Sequence, residues 1–300
     1  MSAPHRSHDS GSGSSRDLPA AADPGVFGPM SVTWRVHADP AAFIGGVSAL
    51  LLQALHPQAM RLLAAHSDFR TDPWGRLQRT AEYIAVITYG TTAEAAEAAG
   101  RVRMVHRRLG ADDPHLLGWV HVTFVHCILD AARRGGLPLT RAERDQYVDE
   151  QRRAAALIGI DPEQAPRTVA EVGAYLRDIR PLLHITPEAR AAAAFVLVPP
   201  MPGTIRWLTP AQPAWAGLAT TAFLLLPRWA RACYGGGRGV GAFALAGSPI
   251  RDIQATVGVR TLRQAALALP ESVRTGPHLA AARERLAGAA ADSAARISAL

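Results

Sequence analysis

The sequence predicts an all-α fold, and three observations support this expectation. Apolar residues recur at helical spacing, alternating strand patterns are nearly absent, and capping residues precede most apolar segments. The chain has 300 residues, of which 48% are hydrophobic and 19% charged, so it can fill a core. We expect a single multi-helix domain over residues 31–300, preceded by a disordered Ser-, Gly- and Pro-rich tail over residues 1–30.

Each expected helix has a physical reason for its boundaries. Ser, Thr and Asp side chains accept hydrogen bonds from the free N–H groups of a first turn, whereas glycine and proline end helices. The expected N-caps are Asp72, Thr91 or Thr92, Asp112 or Asp113, Thr140 and Thr168. The expected helices are residues 41–55, 73–89, 92–109, 114–134, 141–158, 169–180, 187–198 and 214–226. We expect a loop over residues 199–213 and a flexible hinge at 235–239, with short helices after it.

The charge pattern argues against a nucleic-acid partner. The chain has 32 basic residues against 25 acidic ones, and all the basic residues are arginines. They are scattered and mostly close to acidic residues, which is typical of a solvated surface. The absence of lysine also excludes Schiff-base and lysine-base chemistry.

Cysteine usage and hydropathy predict a cytoplasmic protein. Cys127 and Cys233 are far apart and fit no metal-binding spacing, which indicates a reducing compartment. The N-terminus lacks the apolar region of a secretion signal, and the longest apolar runs are shorter than a membrane span. We therefore expect no transmembrane segment, while contact with a membrane surface stays open.

Two histidines are expected to face the core from consecutive helices. His106 shares a helical stripe with Ala95, Ala99, Val102 and Leu109, and His121 shares one with Leu117, Phe124 and Ile128. A buried imidazole needs a hydrogen bond or a metal, and for a single histidine the hydrogen bond is the commoner solution. Two such histidines on adjacent helices favour a cofactor, but the pattern does not decide between a cofactor and structural hydrogen bonds. His126 lies on a less clearly buried face, and it points away from its neighbour Cys127.

A second set of polar residues lies in the helix before His106. Arg76 and Thr80 are four residues apart and share one helical face. An arginine and a threonine there could bind a propionate or orient bound oxygen. The alternative is a surface salt bridge from Arg76 to Asp72 or Glu82, which the spacing alone favours.

At these residues the sequence resembles a known family. The matching segments, given as residues and one-letter sequence, are 52–57 LQALHP, 66–69 HSDF, 72–80 DPWGRLQRT, 89–91 YGT, 102–110 VRMVHRRLG and 113–121 DPHLLGWVH. Together they resemble the MpaB-like oxygenases and the latex-clearing rubber oxygenase, with the resemblance strongest over residues 40–235. The family relation implies an all-α fold that encloses a haem b and uses dioxygen, and the relatives cleave carbon–carbon double bonds of isoprenoids.

The resemblance also implies roles for individual residues. It places the haem-iron ligand on His106, with His121 as the rival ligand or a residue of the distal pocket. It places the family's arginine and threonine on Arg76 and Thr80, close to the haem. The rubber enzyme has a lysine beside the threonine, whereas this chain has Arg79, and a guanidinium is a poor iron ligand.

Three functions therefore follow from the sequence as hypotheses. The first is a haem b-dependent oxygenase that acts with dioxygen on a small apolar substrate, with any electron donor unidentified. The second is a haem-binding sensor or carrier without turnover. The third is a helical scaffold whose histidines are structural.

Overall fold

α-Helices form nearly all the regular structure of the chain. The computed structural model describes residues 22–66, 73–201, 204, 209, 211–235 and 248–298. In chain order the helices are α1 (Val32–Ala38), α2 (Ala41–Gln53), α3 (Pro57–His66), α4 (Pro73–Tyr89), α5 (Thr92–Arg108), α6 (Pro114–Gly135), α7 (Arg141–Glu150), α8 (Arg152–Leu157), α9 (Val169–Ile179), α10 (Pro187–Leu197), α11 (Ala211–Leu225), α12 (Arg228–Gly235), α13 (Pro249–Leu267), α14 (Glu271–Arg274) and α15 (Pro277–Ser298). No strand occurs within the described ranges, which confirms the all-α prediction.

The predicted caps explain where several helices begin. The N-caps of α5, α6, α7 and α9 are Thr91, Asp113, Thr140 and Thr168. At α5 the Thr91 hydroxyl accepts from Glu94 N at 3.1 Å, and the Glu94 carboxylate accepts from Thr91 N at 2.8 Å. This reciprocal capping box satisfies two N–H groups that no helical carbonyl can reach. Asp72, the expected cap of α4, lies outside the described residues.

The single helix predicted over residues 141–158 is instead two helices, α7 and α8, which meet at Gln151. Side chains at this junction bind the first turn of α1. Glu150 Oε2 accepts from Thr33 N and Thr33 Oγ1 at 2.8 Å each, and Gln151 Nε2 donates to Thr33 Oγ1 at 3.1 Å. Because both side chains are buried, their polar atoms cannot bond to solvent, and these hydrogen bonds within the protein satisfy them.

Other boundaries also differ from the sequence prediction. α11 begins at Ala211, inside the segment expected to be a loop, and α1, α3 and α12 were not predicted. Of the helices after the expected hinge, α14 is short as predicted, but α13 has 19 residues and α15 has 22. Their fully buried positions include the small side chains Ala255 and Ala282, which give a weak hydrophobic pattern. Residues 236–239 of the hinge lie outside the described ranges.

The expected tail is described only from residue 22 onward. Within it, Phe27 is buried and packs in a cluster with Trp34 and Tyr89. The Asp23 carboxylate accepts from Thr92 N at 2.7 Å, at the start of α5. Residues 22–30 therefore lie against the helical body.

Helix α6 is the centre of the core, and it packs most closely on α2. The predicted stripe is confirmed, because Leu117, His121 and Ile128 are buried. Trp119 is fully buried, and its Nε1 donates to Gln53 O of α2 at 3.2 Å. By length and composition α6 could cross a membrane, but 67% of its most apolar stretch is buried inside the protein.

A glycine allows α2 and α6 to approach this closely. A Cβ added at Gly45 would lie 2.7 Å from Ile128 Cα and 2.8 Å from Cys127 O, both in the backbone of α6. The next residue, Gly46, has no atom within 4 Å of an added Cβ. An alanine side chain would therefore clash with the α6 backbone at Gly45, whereas at Gly46 it would have free space.

We predict that Gly45→Ala destabilises the protein and Gly46→Ala does not. Because the α6 backbone cannot move aside cheaply, Gly45→Ala should lower the free energy of unfolding by about 2–3 kcal/mol. Gly46→Ala should raise it by about 0.5–1 kcal/mol, through helix propensity. Urea denaturation of both variants measures the difference. Equal stability of Gly45→Ala and the wild type would contradict the packing constraint.

Candidate functional site

A largely apolar cavity of about 210 Å³ lies between six of the helices, α2, α3, α4, α6, α10 and α11. Its apolar lining includes Val47 and Leu50 of α2, Met60 and Leu63 of α3, Leu77 of α4 and Phe195 of α10. Three polar side chains also line it, namely Gln53, Arg76 and Thr80. A concave apolar space with a few polar groups is the usual form of a small-molecule site.

Two tryptophans form one side of the cavity. Trp74 and Trp215 pack edge to face, with their ring centroids 4.8 Å apart. Trp74 Nε1 donates to Pro200 O at 2.8 Å, and Trp215 Nε1 donates to Val196 O at 3.0 Å. Because both indole N–H groups already have acceptors, these side chains contribute apolar surface to the cavity.

The structure brings Arg76 and Thr80 together at the cavity, as their spacing on α4 predicted. Thr80 Oγ1 donates to Arg76 O at 3.0 Å. Desolvation by the surrounding protein, with a smaller contribution from the charge of Arg79, lowers the pKa of the Arg76 guanidinium, which stays protonated at pH 7. Arg79 itself is exposed and does not line the cavity.

The alternative ion pair from Arg76 to Glu82 is not formed, since Glu82 binds another residue. Glu82 Oε1 lies 2.6 Å from His278 Nε2 of the C-terminal helix α15. Asp72, the other suggested partner of Arg76, lies outside the described residues.

His106 is half-buried near the end of α5, and α5 packs on α4. Burial lowers the pKa of His106, Asp112 opposes this shift, and the positive charge of Arg76 adds to it. The ring is therefore neutral at pH 7 and has one nitrogen lone pair available. Within the described part of the chain, the buried Nδ1 atom of His106 has no hydrogen-bond partner.

His121 is buried in α6, with 8% of its surface exposed. Burial lowers the pKa of His121 to about 4, so this ring is also neutral at pH 7. Neither His121 nor His106 lines the cavity, although Val120, which precedes His121, does. Of the two candidate ligands, only His106 has its pKa lowered by the charge of Arg76.

The neighbours His126 and Cys127 have different surroundings, as expected of adjacent residues on a helix. His126 lines a separate pocket beside α7 and α9. Cys127 is buried beside Ser48, and burial raises the pKa of its thiol. A buried, protonated thiol is a poor nucleophile.

A buried hydrogen-bond network around His37 was not predicted from the sequence. Thr88 Oγ1 donates to Ile84 O at 2.8 Å, so its single proton is used and it accepts from His37 Nδ1, also at 2.8 Å. His37 Nε2 is then the unprotonated nitrogen, and it accepts from the Tyr147 hydroxyl at 3.1 Å. Burial lowers the pKa of His37 to about 4. No signal in the sequence pointed to His37, because α1 itself was not predicted.

His56 also has a structural role that its motif did not reveal. It is buried beside Trp119, and its Nδ1 accepts from Ala59 N at 3.4 Å, in the first turn of α3. Among the described residues, no group of three or more His, Cys, Asp or Glu side chains could hold a metal ion. A metal bound by several side chains is therefore not indicated in these ranges.

Comparison with known proteins identifies the family. Residues 34–247 match the family described as "ER-bound oxygenase mpaB/B'/Rubber oxygenase, catalytic domain". The match covers more than two thirds of the chain, and it includes every cavity-lining residue and both candidate histidines. No significant match was found among curated proteins or among solved structures. The chain belongs to the family of mpaB and rubber-oxygenase catalytic domains.

Proposed function

We propose that this chain is a haem b-dependent oxygenase that acts with dioxygen on a small apolar substrate of isoprenoid type. The observation that carries the proposal is the buried, unpartnered Nδ1 atom of His106, on a ring that is close enough to Arg76 for its charge to lower the histidine pKa. Membership of an oxygenase family supports the reaction class.

The chemistry of two side chains, His106 and Arg76, supports a haem as the cofactor. A neutral imidazole is the form that ligates iron, and His106 is neutral at pH 7. Arg76 supplies a positive charge at the cavity, close enough to His106 to lower its pKa, and would bind a propionate there. When bound, haem iron would supply the activation of dioxygen, and the protein would set access and polarity.

The cavity residues would bind and orient the substrate. The tryptophan pair and the aliphatic side chains form most of the cavity lining, which favours an apolar molecule. Thr80 already donates its hydroxyl proton to Arg76 O, so its oxygen can accept a hydrogen bond from a ligand. The guanidinium of Arg79 would act through its charge near Arg76 rather than as an iron ligand.

The proposed reaction needs no external electron donor. Cleavage of a carbon–carbon double bond by dioxygen places one oxygen atom on each of two carbonyl products. The C=C bond of the alkene and the O=O bond of dioxygen both break, and their electrons form the two new C=O bonds.

A comparison of the histidines argues against the scaffold hypothesis. His37 has a partner on both ring nitrogens, His56 caps a helix, and His278 binds Glu82. The ring of His126 also has no partner in the described ranges, but His106 is the one described histidine whose unpartnered nitrogen is fully buried, and the cost of such a group is recovered when a ligand binds it.

We predict that His106→Ala weakens haemin binding by roughly 100-fold or more, since even outer-shell changes at metal sites cost about 10–100-fold. The matched control is His121→Ala, which should keep the wild-type absorption spectrum. Titration of each purified variant with haemin, followed at the Soret band, measures the effect. A lost spectrum in His121→Ala together with an unchanged one in His106→Ala would assign the ligand to His121 instead.

We also predict that narrowing the cavity impairs turnover without affecting the haem. Ala59 lines the cavity from α3, whereas Ala64 on the same helix is exposed and lies outside it. Ala59→Leu should lower kcat/KM by roughly tenfold or more, because added methylene groups occupy the substrate space. Ala64→Leu should leave kcat/KM unchanged. Oxygen uptake with geraniol as the test isoprenoid measures both.

The outcomes of this assay separate the hypotheses. Normal haem spectra without oxygen uptake on any isoprenoid would favour the sensor or carrier. Equal activity of Ala59→Leu and the wild type would show that the substrate binds elsewhere.

A further inference from the structure

A second pocket, of about 280 Å³, lies between α6, α7 and α9. It is separate from the cavity described above, since the two share no lining residue. Helix α6 contributes to both, through Val120 in its first half and residues 125–133 in its second. Nothing in the proposed oxygenase reaction uses this second pocket.

The base of the second pocket is aliphatic. Val125, Leu129, Val148 and Val172 are all buried, and Val169 covers the edge with a partly exposed side chain. These side chains offer no hydrogen bonds, so they favour the apolar part of a ligand.

Two hydrogen-bond donors without partners line the same pocket. Arg144 Nε donates to Thr140 O at 3.3 Å, but across the described ranges the terminal Nη groups have neither an acceptor nor an ion-pair partner. His126 also lines the pocket, and its ring has no hydrogen-bond partner in the described part of the chain. Burial lowers the pKa of His126, so its neutral ring can donate one N–H.

The acidic group of the pocket is already neutralised. Asp130 pairs with Arg133 at 2.6 Å and with Arg134 at 3.5 Å. On α7, Glu143 pairs with Arg35, and Asp145 accepts from Val169 N at 2.9 Å. None of these carboxylates forms an ion pair with Arg144, whose guanidinium lies beside an aliphatic surface.

We propose that this pocket binds a small aliphatic monocarboxylate. The two carboxylate oxygens would accept from Arg144 and His126, and the hydrocarbon body would lie on the valines and Leu129. A charge-assisted hydrogen bond at a partly dehydrated site is stronger than a neutral one, so the negative charge of the ligand matters. A cation is disfavoured by the arginines, and a phosphate lacks the body that the aliphatic base accepts.

Isothermal titration of the full-length protein with hexanoate tests the proposal. We expect saturable binding with a Kd of about 1 mM or tighter. Hexanamide has the same shape without the charge, and it should bind at least about tenfold more weakly. Inorganic phosphate should not compete with hexanoate.

Two arginines of α7 provide matched variants. Arg144→Gln should weaken hexanoate binding by roughly tenfold or more, because it removes the charged donor. Arg141→Gln changes an exposed arginine outside the pocket on the same helix, and it should leave binding unchanged. A second variant, Val169→Glu, adds a negative charge at the pocket edge and should also weaken binding. An acidic residue is favourable in the first turn of α9, so this variant should fold.

The proposal is wrong if the wild type shows no saturable binding, or if hexanamide binds as tightly as hexanoate. It is also wrong if Arg144→Gln and Arg141→Gln bind hexanoate equally well. Circular dichroism of each variant separates lost binding from lost folding. None of these outcomes depends on haem, so the result is independent of the proposed oxygenase function.

Discussion

At Gly45 the backbone of α2 lies directly against the backbone of α6, with no room for a Cβ between Gly45 and Ile128. This contact sets the distance between the two helices that contribute the largest share of the main core cluster. Helices α1, α7, α9, α10, α11 and α13 pack on this pair, and Trp119 fixes its alignment through the bond from its indole nitrogen to Gln53 O. A backbone contact tolerates little adjustment, so the helix pair is a rigid base.

The same helix pair determines where ligands can bind. The free face of α2 and the start of α6 contribute Val47, Gln53 and Val120 to the apolar cavity, and the end of α6 forms the second pocket. Helix α4 adds Arg76 to the lining of the cavity, and His106 of α5 lies outside that lining but close enough to Arg76 for its charge to lower the histidine pKa. The rigid pair thus supplies apolar surface, while the outer helices supply charge and the candidate iron ligand.

Much of this arrangement could be predicted from local sequence signals. Capping boxes such as Thr91 with Glu94 act over four residues, so the first residues of α5 and α7 could be predicted directly. The spacing of Arg76 and Thr80 likewise predicted that they share a face. The break at Gln151 and the network of His37 depend on contacts with residues about a hundred positions away, which local patterns do not contain. The long helix α13 was missed because small residues make up part of its buried face.

Haemin titration of the purified full-length protein tests the central claim, which is that the chain holds a haem through a histidine. We expect a Soret band that grows to saturation at one haem per chain, with the spectrum of a histidine-ligated iron. If the spectrum remains that of free haemin at every haem-to-protein ratio, the claim is wrong.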